Sequence, residues 1–162
     1  GTQQVFQRIR FVGSNFPVGR YRIRHPYGEE VLDVKTVGPR NLFYSQDVSP
    51  VEGNFDISLT GKVDPYLRWD PLAPPAAPLG YIGDPGVAHK VTGSPVGNNF
   101  VEVSILGAAG WEVVASSDLF SISGQLAEMK VVAVAGREAS SYDTFEVDDA
   151  HATRVTLKAG GL

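Results

Sequence analysis

Arg20-Tyr21-Arg22-Ile23-Arg24-His25-Pro26-Tyr27-Gly28 is the stretch whose reading decides the fold. Arg20 to His25 alternates strictly, with Tyr21 and Ile23 on one face and Arg20, Arg22 and Arg24 on the other. A period of two is the side-chain period of a strand, and a helix cannot reproduce it. Pro26 presets φ and Gly28 accepts φ > 0, so His25 to Gly28 reads as a turn. Glu30 to Val37 follows as the return strand. Toward the N-terminus, Val5 to Val12 alternates as well. Val5, Gln7, Ile9 and Phe11 share one face; Phe6, Arg8 and Arg10 share the other. These three segments predict an antiparallel meander.

The same habit continues along the chain. Strands are predicted over Asn41–Gln46, Phe55–Thr60, Asn99–Leu106, Trp111–Ala115, Leu119–Gln125, Met129–Ala135, Thr144–Val147 and Thr153–Lys158. The 18 glycines and 11 prolines punctuate these runs throughout, as in sandwiches and barrels. Ten or eleven short strands suit two packed sheets. The expected fold is all-β: an antiparallel two-sheet β-sandwich, Ig-like or jelly-roll-like, forming a single domain over residues 1–162. No segment reads convincingly as a helix. Val131-Val132-Ala133-Val134 favours a buried strand in the one place that invites hesitation.

Residues 69–85 are different. Pro71, Pro74, Pro75 and Pro78 lack backbone donors and cannot sit in a central strand. Trp69, Tyr81 and Ile82 are not linker residues, because flexible linkers are rich in Gly and Ser. The stretch is expected to be an ordered Pro-rich crossover lying across one sheet, with Trp69 and Tyr81 largely buried beneath it. Ordered long loops in compact domains are often functional.

Composition removes several classes of function. Hydrophobic residues make up 43% and charged residues 20%, which is a globular balance. A net charge of −4 offers no footprint for nucleic acid or for an acidic membrane surface. The absence of cysteine excludes disulfides, thiolate metal sites and a Cys nucleophile. No apolar run approaches the roughly 20 residues of a membrane helix, and no signal peptide is visible. The start at Gly1-Thr2-Gln3-Gln4 and the end at Gly160-Gly161-Leu162 are expected of a fragment of a longer exported protein.

The order of several segments is informative in combination: Tyr21-Arg22-Ile23-Arg24-His25-Pro26-Tyr27-Gly28, then Trp69-Asp70-Pro71, then Gly80-Tyr81-Ile82-Gly83-Asp84-Pro85. His89-Lys90-Val91-Thr92-Gly93-Ser94-Pro95, Gly97-Asn98-Asn99-Phe100 and Asp118-Leu119-Phe120-Ser121-Ile122-Ser123-Gly124 follow. Over roughly Phe6 to Gly124 the chain resembles a group of multi-domain exported bacterial β-domain proteins, often actinobacterial. That group carries no established activity. The resemblance implies export and a mid-protein position. Leu106-Gly107-Ala108-Ala109-Gly110-Trp111 departs from the Gly/Pro-rich stretch usual in the group.

Six constellations could carry chemistry. Ser94, His89 and Asp84 could be drawn as a hydrolytic triad, but no Gly-x-Ser-x-Gly elbow is present, and turn and strand-end roles fit them better. No metal or other cofactor is expected. Calcium is the one ion the residues could suit, through Asp84 and Asn98 or Asn99, or through Asp143, Glu146, Asp148 and Asp149, the last cluster without the spacing of a known calcium loop. Asp70, Asp84, Glu102 and Glu112 supply no distinct acid–base pair, and Asp70-Pro71 and Asp84-Pro85 read as turn starters. Lys62, Lys130 and Lys158 could in principle cross-link to an Asn, without a visible partner.

The fifth constellation is the arginine ladder. If the first two strands pair, Arg8, Arg10, Arg20, Arg22 and Arg24 form one basic stripe for an anionic polysaccharide or another subunit. The competing expectation is neutralisation by Glu29, Glu30, Asp33 and Glu102 on neighbouring strands, and it is favoured because the chain is acidic. Tyr66, Trp69, Tyr81, Phe100 and Trp111 form an aromatic set near the crossover that could stack on sugar rings or simply pack beneath the loop. Candidate ligand contacts are thus Trp69, Tyr81, Trp111, Arg20, Arg22 and Arg24. The expected function is non-enzymatic: an extracellular or cell-surface structural or adhesive module. Its partners would be other domains, copies of the same protein, or extracellular polysaccharide. A carbohydrate-binding module is the first alternative and a hydrolase the second.

Overall fold

A computed structural model describes residues 6–48, 51–126, 129–131, 142–147 and 154–158, the last three segments as backbone only. The chain is all-β with antiparallel pairing, and no α-helix occurs among the described residues. None of its described helical turns is long and apolar enough to cross a membrane.

The Arg20–His25 alternation forms β2 (Gly19–His25), which turns at Gly28 (φ 137°) into β3 (Gly28–Val34). β2 also pairs on its other edge with β7 (Val101–Gly107), and β7 pairs with β8 (Gly110–Ser117), giving the order β3-β2-β7-β8. Tyr21 and Ile23 point to one side and are 1% exposed. With Val34 and Leu42 they form the core, closed at its margin by Phe11, Phe16, Leu32, Val101, Val103 and Ile105.

β1 (Gln7–Gly13) does not continue the meander. It pairs with β4 (Leu42–Val48), and this ribbon packs Phe11 and Leu42 onto the β2 face as the second layer. The change of layer has a local cause. Asn15 adopts φ 60°, a conformation Asn tolerates better than most residues, and lifts the chain from one layer to the other. The segment returning from β3 to β4 runs alongside. Asn41 ties the two together: its Oδ1 accepts from Phe16 N at 3.1 Å, and its Nδ2 donates to Phe16 O at 2.7 Å and Thr36 O at 2.8 Å.

Phe55–Thr60 is not a strand. Asp56–Thr60 is a 3₁₀ turn held by local bonds from Ser58 Oγ to Phe55 O and from Thr60 Oγ1 to Ile57 O. Two short strands follow, β5 (Arg68–Trp69) and β6 (His89–Thr92), which with β9 (Leu119–Phe120) form a second small sheet. β10 (Met129–Val131), β11 (Tyr142–Val147) and β12 (Arg154–Lys158) form a third. The remainder of the expected Met129–Ala135 strand lies outside the described residues.

The Pro-rich crossover is anchored at its two ends. Trp69 N donates to Ile82 O and Ile82 N to Gly124 O, both at 2.9 Å, and Leu126 N donates to Gly80 O at 2.8 Å. Trp69 is 5% exposed and stacks on His89 with centroids 4.2 Å apart. Gly83 runs directly under the indole: a Cβ there would lie 2.7 Å from Trp69 Nε1. Tyr81, expected to be buried, is 47% exposed, and Leu72 and Leu79 at the loop's reach are 92% and 100% exposed. The loop therefore stands away from the sheet between its anchors. Tyr81 lies in a bridge opposite Gln125, and its neighbour Ile82 takes the packed side.

Trp69→Ala should accordingly cost about 3–5 kcal/mol in urea unfolding, as large aromatic truncations do. Tyr81→Ala should cost under about 1 kcal/mol. Equal losses would overturn this account of the anchoring.

Candidate functional site

The arginines are sorted by what stands next to them. Arg8 and Arg10 lie on the ribbon, apart from the sheet that carries the other three, so no single stripe of five forms. Arg8 makes a two-point contact with Asp47, Nε to Oδ1 at 2.7 Å and Nη2 to Oδ2 at 3.1 Å. Arg10 Nε donates to Ser45 Oγ at 3.3 Å. Arg20 stands 3.9 Å from Asp33 on the adjacent strand. Arg24 reaches Glu102 at 3.5 Å, Asn98 at 3.4 Å and the face of Phe100 at 5.0 Å. Arg22 lies over Trp111 at 4.9 Å, with its Nε buried. This face carries its own counter-charges and aromatic cover. Exposed pairs of this kind contribute only about 0–1 kcal/mol each, so their effect is to cancel the field rather than to hold the fold.

Of the aromatic candidates, Trp69 is enclosed, Trp111 is half-buried against Arg22, and Tyr81 is half-exposed. They do not converge on one platform. The catalytic candidates are each engaged in local contacts. Ser94 Oγ donates to Pro26 O at 2.7 Å and accepts from Asn98 N at 2.8 Å and Val96 N at 3.3 Å. Its hydroxyl closes a turn. His89 is stacked under Trp69, its Nδ1 2.7 Å from Lys90 O. Asp84 and Asp70 each accept a backbone amide two residues on, from Gly86 at 2.8 Å and Leu72 at 2.9 Å, as turn starters do.

Asn98 spends its side chain on Arg24 and on His25 O. No cluster of three or more metal-ligating side chains occurs among the described residues. The side chains of Asp143 and Glu146, and Asp148 and Asp149 altogether, lie outside the described residues. So do the side chains of Lys130 and Lys158, while Lys62 is half-exposed and paired with Glu30 at 3.2 Å.

Two cavities among the described residues bear on function. One, of about 500 Å³, extends the core past the ribbon and is lined mainly by Phe16, Pro17, Tyr21, Ile105, Val114 and Ala115, with no charged group. The other is a groove of about 990 Å³ beside the crossover anchors. Its walls come from β1 (Arg8), the β2–β3 turn (Tyr27), residues 63 and 66–68 entering β5, Ile82, and residues 120–126 leaving β9. Tyr66 is 66% exposed. Tyr27 donates its hydroxyl to Pro65 O at 3.1 Å, which holds the ring in place. Ser121, Ser123 and Gln125 add hydrogen-bonding side chains. Sequence reasoning included Tyr66 in the aromatic set but missed the groove, because its walls are brought together from five separated segments.

No family model matches the chain, and no curated protein or solved structure matches it either.

A buried histidine lies between the two layers. His25 is 1% exposed, packed against Phe11 at 5.1 Å, and its Nδ1 accepts from Tyr27 N at 3.3 Å. Nε2 therefore holds the proton of the neutral ring, 3.9 Å from Glu30 Oε1. Burial holds the imidazole below its ordinary value, Glu30 pulls it upward, and Lys62 pushes it down again. Tyr44 across the gap is pushed up to about 12, first by burial and then by Glu30. A second proton on His25 would sit at Nδ1 and cost the Tyr27 bond. Because the unfolded chain protonates first, stability is full above the ordinary histidine value of about 6.5 and falls as the pH drops below it. The thermal midpoint should fall between pH 7.5 and pH 5.5, and His25→Gln should flatten that slope. An unchanged slope in the variant would overturn the assignment to His25.

Proposed function

We propose that this chain is a non-catalytic adhesive module of an exported bacterial protein, acting at the cell surface or outside the cell, and that it holds extracellular polysaccharide in the groove beside Tyr66. The observation that carries the reading is the groove itself. A concave site of this volume, lined by aromatic rings with a few placed polar groups, is the ordinary form of a ligand site. The rings of Tyr27 and Tyr66 offer faces for stacking, and Ser121, Ser123 and Gln125 offer hydrogen bonds of the kind sugar hydroxyls use.

Export is supported by the resemblance described above. The adhesive reading is supported over the hydrolytic one by the state of Ser94, whose hydroxyl is already committed to three backbone groups. It is supported over the arginine-face reading by the carboxylates beside Arg20 and Arg24.

Affinity electrophoresis in gels containing soluble plant or bacterial polysaccharides tests the proposal. Retardation by at least one polysaccharide is expected, with loss of retardation in Tyr66→Ala and none in Arg20→Ala/Arg22→Ala/Arg24→Ala. Retardation that survives Tyr66→Ala but disappears in the triple variant would move the site to the arginine face. Release of new reducing ends that vanishes in Ser94→Ala would make the protein a hydrolase.

A further inference from the structure

The groove has an electrostatic asymmetry that the chain as a whole does not share. The protein carries a net charge of −4, yet among the described residues the groove lining includes Arg8 and Arg68 and no Asp or Glu. The two arginines are not equivalent. Arg8 is held by both carboxylate oxygens of Asp47. Arg68 has no carboxylate, hydrogen-bond or ring partner among the described residues.

Its place in the fold explains why. β5 is an edge strand of two residues, and its ladder neighbour opposite Arg68 is Thr92, which has no charge to offer. A guanidinium is a planar fork of N–H donors that matches a carboxylate at two points, and such bonds are roughly twice as strong as neutral ones. Tyr66, two residues away and 66% exposed, supplies a flat face beside it. The volume of about 990 Å³ lies at the upper end for small-ligand sites and suits an oligomer rather than a single ring.

We propose that the groove selects carboxylate-bearing polysaccharide, with the Arg68 guanidinium forking a uronate carboxylate and the Tyr66 ring carrying the sugar face. This inference rests on the groove reading above and narrows it to one ligand class. It also moves the anion-recognising arginine from the Arg20/Arg22/Arg24 face to a position no repeat pattern marks.

The experiment is calorimetric titration of the full chain with oligogalacturonate and with its methyl ester, which keeps the backbone and masks the charge. A neutral mannan oligomer and poly-glutamate complete the set. Oligogalacturonate should bind, and its affinity should fall by about tenfold or more on esterification or in Arg68→Gln. Arg68→Lys, which keeps the charge and loses the fork, should recover part of that loss. Unfolding of Arg68→Gln should match the parent, because the side chain has no partner to lose among the described residues.

Equal, Tyr66-dependent binding of the acid, the ester and the mannan, indifferent to Arg68→Gln, would overturn the carboxylate inference and leave the groove reading standing. Arg68-dependent binding of poly-glutamate without binding of oligogalacturonate would overturn the sugar class. No binding of any of the four would overturn the inference. Retardation in the polysaccharide gels would then decide the groove reading separately.

Discussion

β2 is hydrogen-bonded on both edges, and its strict alternation is the constraint the rest of the described sandwich obeys. One register puts Tyr21 and Ile23 into the core and three guanidinium groups outside. Slipping by one residue would bury Arg20, Arg22 and Arg24 against the ribbon. Burial of unpaired charge costs several kcal/mol per ion, so that alternative is not competitive. With β2 fixed, Leu32 and Val34 of β3 and Val103 and Ile105 of β7 fall on the core face by pairing, and Asp33 and Glu102 fall beside Arg20 and Arg24. Core and counter-charge are set by the same register.

This is why so much of the central sheet could be read from the sequence. The β2–β3 hairpin, the outward arginines and two of their acidic partners all follow from a period of two and a local turn. What failed to read was nonlocal or too short to show a period. β1 reads as a plausible neighbour of β2, but its partner is β4, reached through a crossing that depends on the backbone of Asn15 and the three hydrogen bonds of Asn41. β5 and β6, of two and four residues, are shorter than any window in which alternation can be recognised. Phe55–Thr60 carries apolar residues at strand spacing, yet Ser58 and Thr60 bond back to nearby carbonyls and Asn54 caps Ile57 N, so local side-chain bonding displaces a ladder.

The crossover shows how little of a long loop needs to be packed for it to be ordered. Trp69 and Gly83 form one contact: a flat indole on a backbone that has no Cβ to keep it away. Two backbone bonds on Ile82 continue the pairing to Gly124. Between the anchors, proline removes donors and restricts φ, which lowers the entropy the loop must lose without any need for buried side chains. Sequence proximity made Tyr81 look like a second anchor. The bridge to Gln125 turns it outward, and Ile82 takes the packed position against Gly124.

The candidate site illustrates a general consequence of strand pairing for charged residues. Arginines at a regular strand period are conspicuous in a sequence, and regular ladders also bring side chains of neighbouring strands within about 4.5–5.5 Å, where acids are readily placed. Conspicuous cations on central strands are therefore the ones most easily neutralised, as Arg20 and Arg24 are. A cation remains available where the ladder is shortest and its cross-strand neighbour is neutral. Arg68 meets both conditions, on a two-residue edge strand opposite Thr92 and at the wall of a groove whose described lining has no carboxylate. In this domain Arg68 lies off the periodic pattern, and only the assembled walls of the groove single it out.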